Sequence, residues 1–422
     1  MLKTMGNPPQ PSLREDAVAG NEKPADRKKF VPGPSGHSGG GGDPRPSPQS
    51  TGRVTMLGLR GIPNVQGGVE RHVEILGREL TRLGWKVTVI GRREYLKEKK
   101  PVFWDGIRIV PLWSPRRVAL EAAVHTFLGV LYSAFRRPDI LHIHAIGPSL
   151  MVPLARLLGL KVVVTHHGFD YDRQKWGAFA KRMLRLGEAL GMKFANRRIA
   201  VAAGVAHTMQ LQYDVPVSFI PNGVAIHASE GGTEALEHFG LTRRSYILTV
   251  ARLVPEKRQT DLIEAFARLK PNTCKLVIVG GSDFATPYSK EVEKRARQVP
   301  GVVMTGFQSG GNLAALFSNA ALFILPSSHE GMPIALLEAL GYGLPVLASD
   351  IPANLEVGLP PEDYFPLGNI DALAAAIERK LAEPYLPEEG RQRARRIEEQ
   401  YGWSSIAERT AVVYRSLFPH QQ

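Results

Sequence analysis

From about residue 53 onward, short apolar runs alternate with longer stretches in which apolar residues recur every three or four positions. The short runs read as strands and the periodic stretches as amphipathic helices. In the first half this pattern predicts strands at 54–59, 86–90, 107–110, 140–144, 162–165, 198–201 and 217–220. In the second half it predicts strands at 247–250, 275–279, 302–305, 322–325 and 345–348, followed by closing helices at 371–382 and 404–417. Regular strand–helix alternation implies an α/β fold with parallel sheets and right-handed crossovers. The first 52 residues differ in kind. They are rich in Pro, Gly, Ser and charge, without apolar periodicity, and cannot bury enough surface to offset their ordering entropy. They lack the apolar centre of a signal peptide and read as a disordered tail or a misplaced start.

The chemistry concentrates where strands meet helices. In ALFILPSSHEGMPIALLEALGYGLPVLAS (321–349) an apolar strand enters a polar loop carrying Glu330, and a helix opening at Pro333 carries Glu338. Such loops lie at the carboxyl edge of a parallel sheet, where open α/β folds bind ligands. Carboxylates there can accept hydrogen bonds from the adjacent hydroxyls of a ribose or hexose. Upstream, Arg252 and Lys257 occupy a strand-to-helix turn in VARLVPEKRQTDLIEAFARL, an arrangement suited to phosphate. In LGLRGIPNVQGGVERHVEILGREL, Gly67 and Gly68 open a helix after the first strand, where glycine lets backbone N–H groups approach a phosphate closely.

Together these segments resemble glycosyltransferase family 4, whose members have the GT-B fold of two facing Rossmann-like domains. The resemblance extends to THHGFDYDRQKWG (165–177), IPNGV (220–224) and SDIPANLEV (349–357). The RGIPNVQGGVERHVE and THHGFDYDR segments look closest to a bacterial rhamnosyltransferase-like branch. The expected organisation is a tail (1–52), a first Rossmann-like domain receiving the acceptor (53–224) and a second binding the nucleotide sugar (225–400). A final helix (401–422) returns to the first domain, with Trp403 and Tyr414 as packing anchors.

The resemblance implies transfer of a sugar from a nucleotide diphosphate donor, with retention of anomeric configuration and without a metal or other cofactor. Arg252 and Lys257 would neutralise the leaving diphosphate, and Glu338 would bind the ribose hydroxyls. Glu330, with the backbone around Gly331 and Met332, would hold the transferred sugar. His167, beside His166, matches the family's active-site histidine and could hydrogen-bond the sugar and assist deprotonation of the acceptor. Ala203 departs from the family, whose members tend to have serine after that strand. Members of this branch build surface polysaccharide, often on a lipid-linked acceptor at the inner face of the cytoplasmic membrane, so a cytoplasmic protein with peripheral membrane contact is expected. A GT-B-fold nucleotide-sugar epimerase and a non-catalytic GT-B-fold binding protein are the alternatives. A product assay with and without acceptor separates the first from a transferase. Residues able to do their job at every matched position argue against the second.

Composition refines this picture. With 422 residues, 43% of them hydrophobic and 22% charged, the chain can form two globular domains. Its one cysteine, Cys274, excludes an internal disulfide and reads as a packed core thiol. His142 and His144 alternate along one strand and so share a face. A metal would need a third ligand, none is apparent from spacing, and the pair is expected to line the cleft. The net charge of +13 shows no basic stripe interleaved with aromatics, so nucleic acid is not the expected partner. Instead Arg116-Arg117 and Arg136-Arg137 bracket the apolar stretch 118–135, and 173–185 mixes basic and aromatic residues. Both resemble surfaces that meet an anionic membrane. The 118–135 stretch contains Glu121 and His125 and is barely long enough to span one, so a transmembrane helix is not expected.

Overall fold

The computed structural model describes residues 51–115, 118–172, 177–224, 234–270, 274–282 and 285–418. The tail, Arg116-Arg117 and 173–176 lie outside these residues.

The first half forms β1 (Gly52–Leu57), α1 (Gly68–Arg82), β2 (Trp85–Arg92), β3 (Val102–Trp104), β4 (Ile107–Leu112) and α2 (Val118–Arg136). It continues with β5 (Ile140–His144), α3 (Val152–Leu157), β6 (Val162–His166), α4 (Ala178–Phe194), β7 (Arg197–Ala200), α5 (Ala203–Tyr213) and β8 (Ser218–Phe219). The eight strands form one sheet in the order β3-β4-β2-β1-β5-β6-β7-β8, parallel except where β3 meets β4.

The second half forms α6 (Glu234–His238), β9 (Tyr246–Val250), α7 (Gln259–Ala267), β10 (Lys275–Val279), α8 (Pro287–Gln298), β11 (Val302–Gly306) and α9 (Gly310–Asn319). It continues with β12 (Leu322–Leu325), α10 (Ile334–Gly341), β13 (Val346–Ser349), α11 (Pro352–Leu355), β14 (Tyr364–Phe365) and α12 (Ile370–Ala382). Its six strands run parallel in the order β11-β10-β9-β12-β13-β14. Helices α13 (Pro387–Tyr401) and α14 (Trp403–Arg415) end the described chain.

Helices cover both faces of each sheet, so the central strands are continuous apolar runs rather than alternating ones. In β10, Val277 and Val279 belong to one core while Leu276 and Ile278 belong to the core on the opposite face. In the same way β12 sends Phe323 and Leu325 one way and Leu322 and Ile324 the other. Helix α14 packs on α1, and its Trp403, Ile406 and Tyr414 join the core of the first sheet. Trp403 and Tyr414 are therefore the packing anchors expected of them. Cys274 is only half-buried, at the edge of its core, because β10 begins after it at the sheet margin. Burial still pushes its thiol up to about 11.

Three elements go beyond the apolar pattern. Strand β3 is a short edge strand returned by the turn Asp105-Gly106, both with positive φ, a two-residue hairpin signal that the apolar count overlooks. Strand β14 is only two residues long. Helix α13 buries only Gly390 and Ile397, so its apolar periodicity is faint. Among the described residues no helix is long and apolar enough to cross a membrane.

Candidate active site

Two loops leave the carboxyl ends of the neighbouring parallel strands β9 and β12. The first winds through a 3-10 turn at Pro255–Lys257 and enters α7 at Arg258, whose φ is +48°. Gln259 anchors it by donating from Nε2 to the Arg252 carbonyl at 2.9 Å. The second loop is stitched to the first, because the Ser328 amide donates to the Glu256 carbonyl at 2.8 Å. This fixes Lys257 against Glu330, and Lys257 Nζ donates to Glu330 Oε1. Both side chains are largely buried yet not sealed, at 19% and 10% exposure. The ammonium has three donors, so the pair does not exhaust it. Arg252 is half-buried on the same turn, and α10 carries Glu338 from the second loop.

The opposing domain meets these groups through α1. Arg71 donates from Nε to Glu338 Oε1 at 3.1 Å and from Nη1 to Glu74 at 3.4 Å. Gly68 stands exposed at the start of α1, where an added Cβ would lie 3.9 Å from Ile334 at the start of α10. Gly67 is placed differently from the sequence expectation of an open phosphate cradle. The Glu70 carboxylate covers it, so a Cβ there would fall 2.0 Å from Glu70 Oε2. Glu70 is itself held by the Arg60 backbone amide at 3.1 Å and by Arg60 Nε at 3.0 Å. Burial opposes its charge, but Arg60 wins and holds the carboxyl below its ordinary range.

The two adjacent histidines after β6 separate by role. His166 is fully buried, with Nε2 on Glu188 at 2.9 Å and Nδ1 accepting from the Gly168 amide at 3.1 Å. His167 points the other way, with Nε2 3.1 Å from Nδ1 of His144. His72 of α1 lies edge-on to His167, with ring centroids 5.0 Å apart, and its Nδ1 meets Asn222 Oδ1 at 2.8 Å. Asn222 donates in turn from Nδ2 to the Met332 carbonyl at 3.3 Å, linking the histidines to the Glu330 loop. Burial, reinforced by neighbouring imidazoles, holds His167 well below the usual histidine range, so it is neutral near pH 7.

The structure corrects the expectation for the sheet-end histidines. His142 does not line the cleft, because α14 covers it and Tyr414 and Thr165 bond its Nδ1 and Nε2 at 2.6 and 2.7 Å. His144 is also buried, and the third histidine that sequence spacing did not reveal is present twice over, as His72 and His167.

The two domains touch backbone to backbone here. A Cβ on Gly331 would lie 1.8 Å from the His167 carbonyl oxygen, and one on Gly168 would lie 2.8 Å from the Gly331 Cα. A further bridge accounts for Ala203. Glu356 of the second domain accepts from the amides of Ala203 and Gly204 at 2.8 and 2.9 Å, capping the start of α5 without a serine hydroxyl. His167, Lys257, Glu330, Gly331, Met332 and Glu338 thus converge on one cleft, with Arg252 on the Lys257 turn and Gly68 at its far wall. Arg71, His72, Asn222 and Glu356 are the residues that sequence reasoning missed. Arg71 and His72 follow Gly67-Gly68 after Val69 and Glu70, in the first turns of the helix that the pair opens, and that proximity was the available signal.

Residues 66–227 match the family model described as Glycosyltransferase Family 4, and residues 234–399 match that of Glycosyl transferases group 1. An uncharacterized glycosyltransferase of Methanocaldococcus jannaschii is 30% identical over 386 residues, covering 86% of this chain and 98% of that protein. The UDP-Gal:alpha-D-GlcNAc-diphosphoundecaprenol alpha-1,3-galactosyltransferase of Escherichia coli is 29% identical over 230 residues. That match spans 51% of this chain and only 59% of the enzyme's length. In fold, the chain is similar to sucrose-phosphate synthase from Thermosynechococcus elongatus, with a TM-score of 0.75 and 22% identity over 87% of this chain and 99% of that one. Anabaena HepE in complex with UDP-glucose gives a TM-score of 0.70 at 17% identity, over 86% of this chain and 100% of that one. None of these four names is a rhamnosyltransferase, so the branch resemblance gains no support from them. The chain is a GT-B glycosyltransferase and belongs to glycosyltransferase family 4.

Proposed function

We propose that this enzyme transfers a sugar from a nucleoside diphosphate sugar to a glycan or lipid-linked acceptor in surface polysaccharide synthesis, with retention and without a metal. One observation carries the reading. The Lys257–Glu330 pair joins two interlocked loops at the carboxyl end of a parallel sheet, with Glu338 on the helix that follows the second loop, and this group faces His167 of the other domain. Lys257 and Arg252 stabilise charge on the diphosphate as the bond from sugar C1 to its terminal oxygen breaks. This is electrostatic stabilisation by groups held in place before the bond breaks. Glu338, already oriented by Arg71, accepts from the ribose hydroxyls, and Glu330 with the Gly331 and Met332 backbone holds the sugar. Gly68 borders the diphosphate from the first domain. The acceptor oxygen bonds to C1 on the face the diphosphate leaves, and neutral His167 offers a ring nitrogen to the acceptor proton. The names of two relatives are consistent with this reading: HepE was crystallised with UDP-glucose, and the E. coli enzyme is named for UDP-Gal and a diphosphoundecaprenol acceptor.

A thermal-shift panel of UDP, GDP, dTDP and ADP tests the donor site, since a ligand that binds the folded state stabilises it by mass action. One nucleotide should raise Tm clearly above the others, and Glu338→Ala should abolish that rise. A wild type indifferent to all four at millimolar concentration would sink the donor assignment. Metal independence has its own check. Turnover should survive exhaustive EDTA treatment, and activity silenced by EDTA and rescued by magnesium or manganese would overturn it.

The first domain also supports the membrane reading. Helix α2 exposes Phe127, Leu131 and Phe135, spaced four apart on one stripe, with exposed Arg136 beside them. Helix α4 exposes Phe179 and Leu186 on the same side as Arg182, next to Arg185. Apolar side chains flanked by cations suit the interface of an anionic bilayer, where each Arg contributes about 1 kcal/mol before screening by salt. The protein should therefore sediment with anionic vesicles at low salt and release at high salt. The triple change Arg136→Gln, Arg182→Gln, Arg185→Gln should weaken sedimentation and leave the nucleotide Tm shift intact. A wild type that ignores such vesicles at low ionic strength would point to a soluble acceptor.

A further inference from the structure

His72, His144 and His167 each bring one ring nitrogen into a group whose members all lie within 4.8 Å of one another. The three come from different elements: α1, the end of β5, and the residue after β6. His144 Nδ1 and His167 Nε2 are 3.1 Å apart, close to the edge of a tetrahedron built on metal–nitrogen bonds of about 2.1 Å. His72 is set for coordination by its partner. Its Nδ1 faces the Asn222 carboxamide oxygen, which can only accept, the amide nitrogen being turned to the Met332 carbonyl, so Nδ1 carries the proton and Nε2 is left bare. A histidine oriented through its second nitrogen is the usual arrangement around bound zinc. His144 is 0% exposed, and Nδ1 is its nitrogen turned toward His167. The neighbouring His142 is excluded as a ligand, since Tyr414 and Thr165 engage both its nitrogens.

We propose that His72, His144 and His167 form a reversible site for a divalent transition ion of the zinc class, and that its occupancy inhibits the enzyme by taking the His167 nitrogen. The inhibitory part rests on the role given above to His167, whereas the site itself does not. Three imidazoles are a donor set suited to zinc, cobalt, nickel or copper and poorly suited to magnesium or calcium. Burial favours the neutral, ligating form of all three rings at pH 7. The ion is an inhibitor rather than a cofactor in this scheme, so the EDTA-treated enzyme keeps its activity.

The full-length protein, stripped with EDTA and dialysed, is titrated with cobalt(II) and then with zinc(II) against a chromophoric chelator, without donor. The expected result is one equivalent per chain with the ligand-field absorption of a nitrogen-ligated cobalt ion, displaced by zinc. Histidine side-chain nitrogen NMR of the wild type should show three rings responding, which needs no variant to fold. His72→Gln and His144→Gln should abolish tight binding. Asn222→Ala should weaken it by about 10- to 100-fold, as loss of an orienting partner does. The exposed His207→Gln and His238→Gln should change nothing. Turnover should fall in step with zinc occupancy and return with EDTA. Absence of a bound equivalent, or binding undiminished in His72→Gln with unaffected rings in the wild-type spectrum, would overturn the site. Binding without loss of turnover would overturn the inhibitory role. Failure of the site leaves the nucleotide Tm shift unchanged, whereas failure of the transferase reading removes that shift and leaves metal binding intact.

Discussion

Lys257→Ala is expected to lower kcat by about 10²-fold or more, the scale of losing one well-placed donor to a developing oxyanion. That corresponds to roughly 2.7 kcal/mol of transition-state stabilisation. The reason lies in how rigidly the ammonium is held. Its turn is pinned by Gln259 on the Arg252 carbonyl and by Ser328 on the Glu256 carbonyl, and Glu330 takes only one of its donors. Stability should change little by comparison. Glu330 loses its partner in a cleft that water can reach, so the melting temperature should fall by a few degrees at most. Lys257→Arg, which keeps the charge and changes its geometry, should recover part of the rate. Steady-state kinetics with the preferred donor decide the matter, and a Lys257→Ala enzyme with full turnover would remove this residue from the leaving-group clamp.

The residues of the proposed donor half could be named from the sequence because each follows a local strand signal. Lys257 and Glu330 lie in the loops that follow apolar strands, and Glu338 lies on the helix that the second loop opens, so all three follow strand-to-loop transitions that survive in the linear pattern of hydrophobicity. Twelve strands could be placed for the same reason, while β3 and β14 were too short to show a pattern. The partners of the site were not legible, because they act at long range. Arg71 reaches Glu338 across 267 positions, and His72 reaches Asn222 across 150. Apolar periodicity identifies the inward stripe of α1 but says nothing about which polar residues of its first turn face the other domain. The histidines show the same limit. Alternation put His142 and His144 on one face of β5, yet only the return of α14 from the end of the chain decides that this face is sealed. The covering of Gly67 by Glu70 depends likewise on where Arg60 sits, and a Gly-Gly pair carries no trace of that.

Gly331→Ala should reduce kcat/KM by about 10²-fold even though it adds a single methyl group. The two loops that hold the proposed catalytic groups from opposite domains cross at this residue, and a Cβ there would stand 1.8 Å from the His167 carbonyl oxygen and 2.8 Å from its carbonyl carbon. Both are backbone atoms, so no rotamer change can relieve the overlap. Gly168, on the other side of the crossing, has a φ of +119° and a clash of its own, so that strand of the contact cannot accept a side chain either. The domains must then part by an ångström or more, which separates His167 from the sugar held by Glu330. A misplacement of that size is enough to cost two orders of magnitude. The sheets should barely notice, because their cores come almost wholly from their own elements, with Val201 and Val224 of the first domain reaching into that of the second, and Asn222 on Met332 and Glu356 on the start of α5 still bridge the domains. Loss of rate with a melting temperature within about 3 °C of wild type is therefore the expected signature. Nucleotide diphosphate binding, which uses second-domain groups, should be retained, and this distinguishes a displaced interface from an unfolded donor site. Wild-type kcat/KM in Gly331→Ala would mean that the reacting state does not use the backbone contact between Gly168 and Gly331.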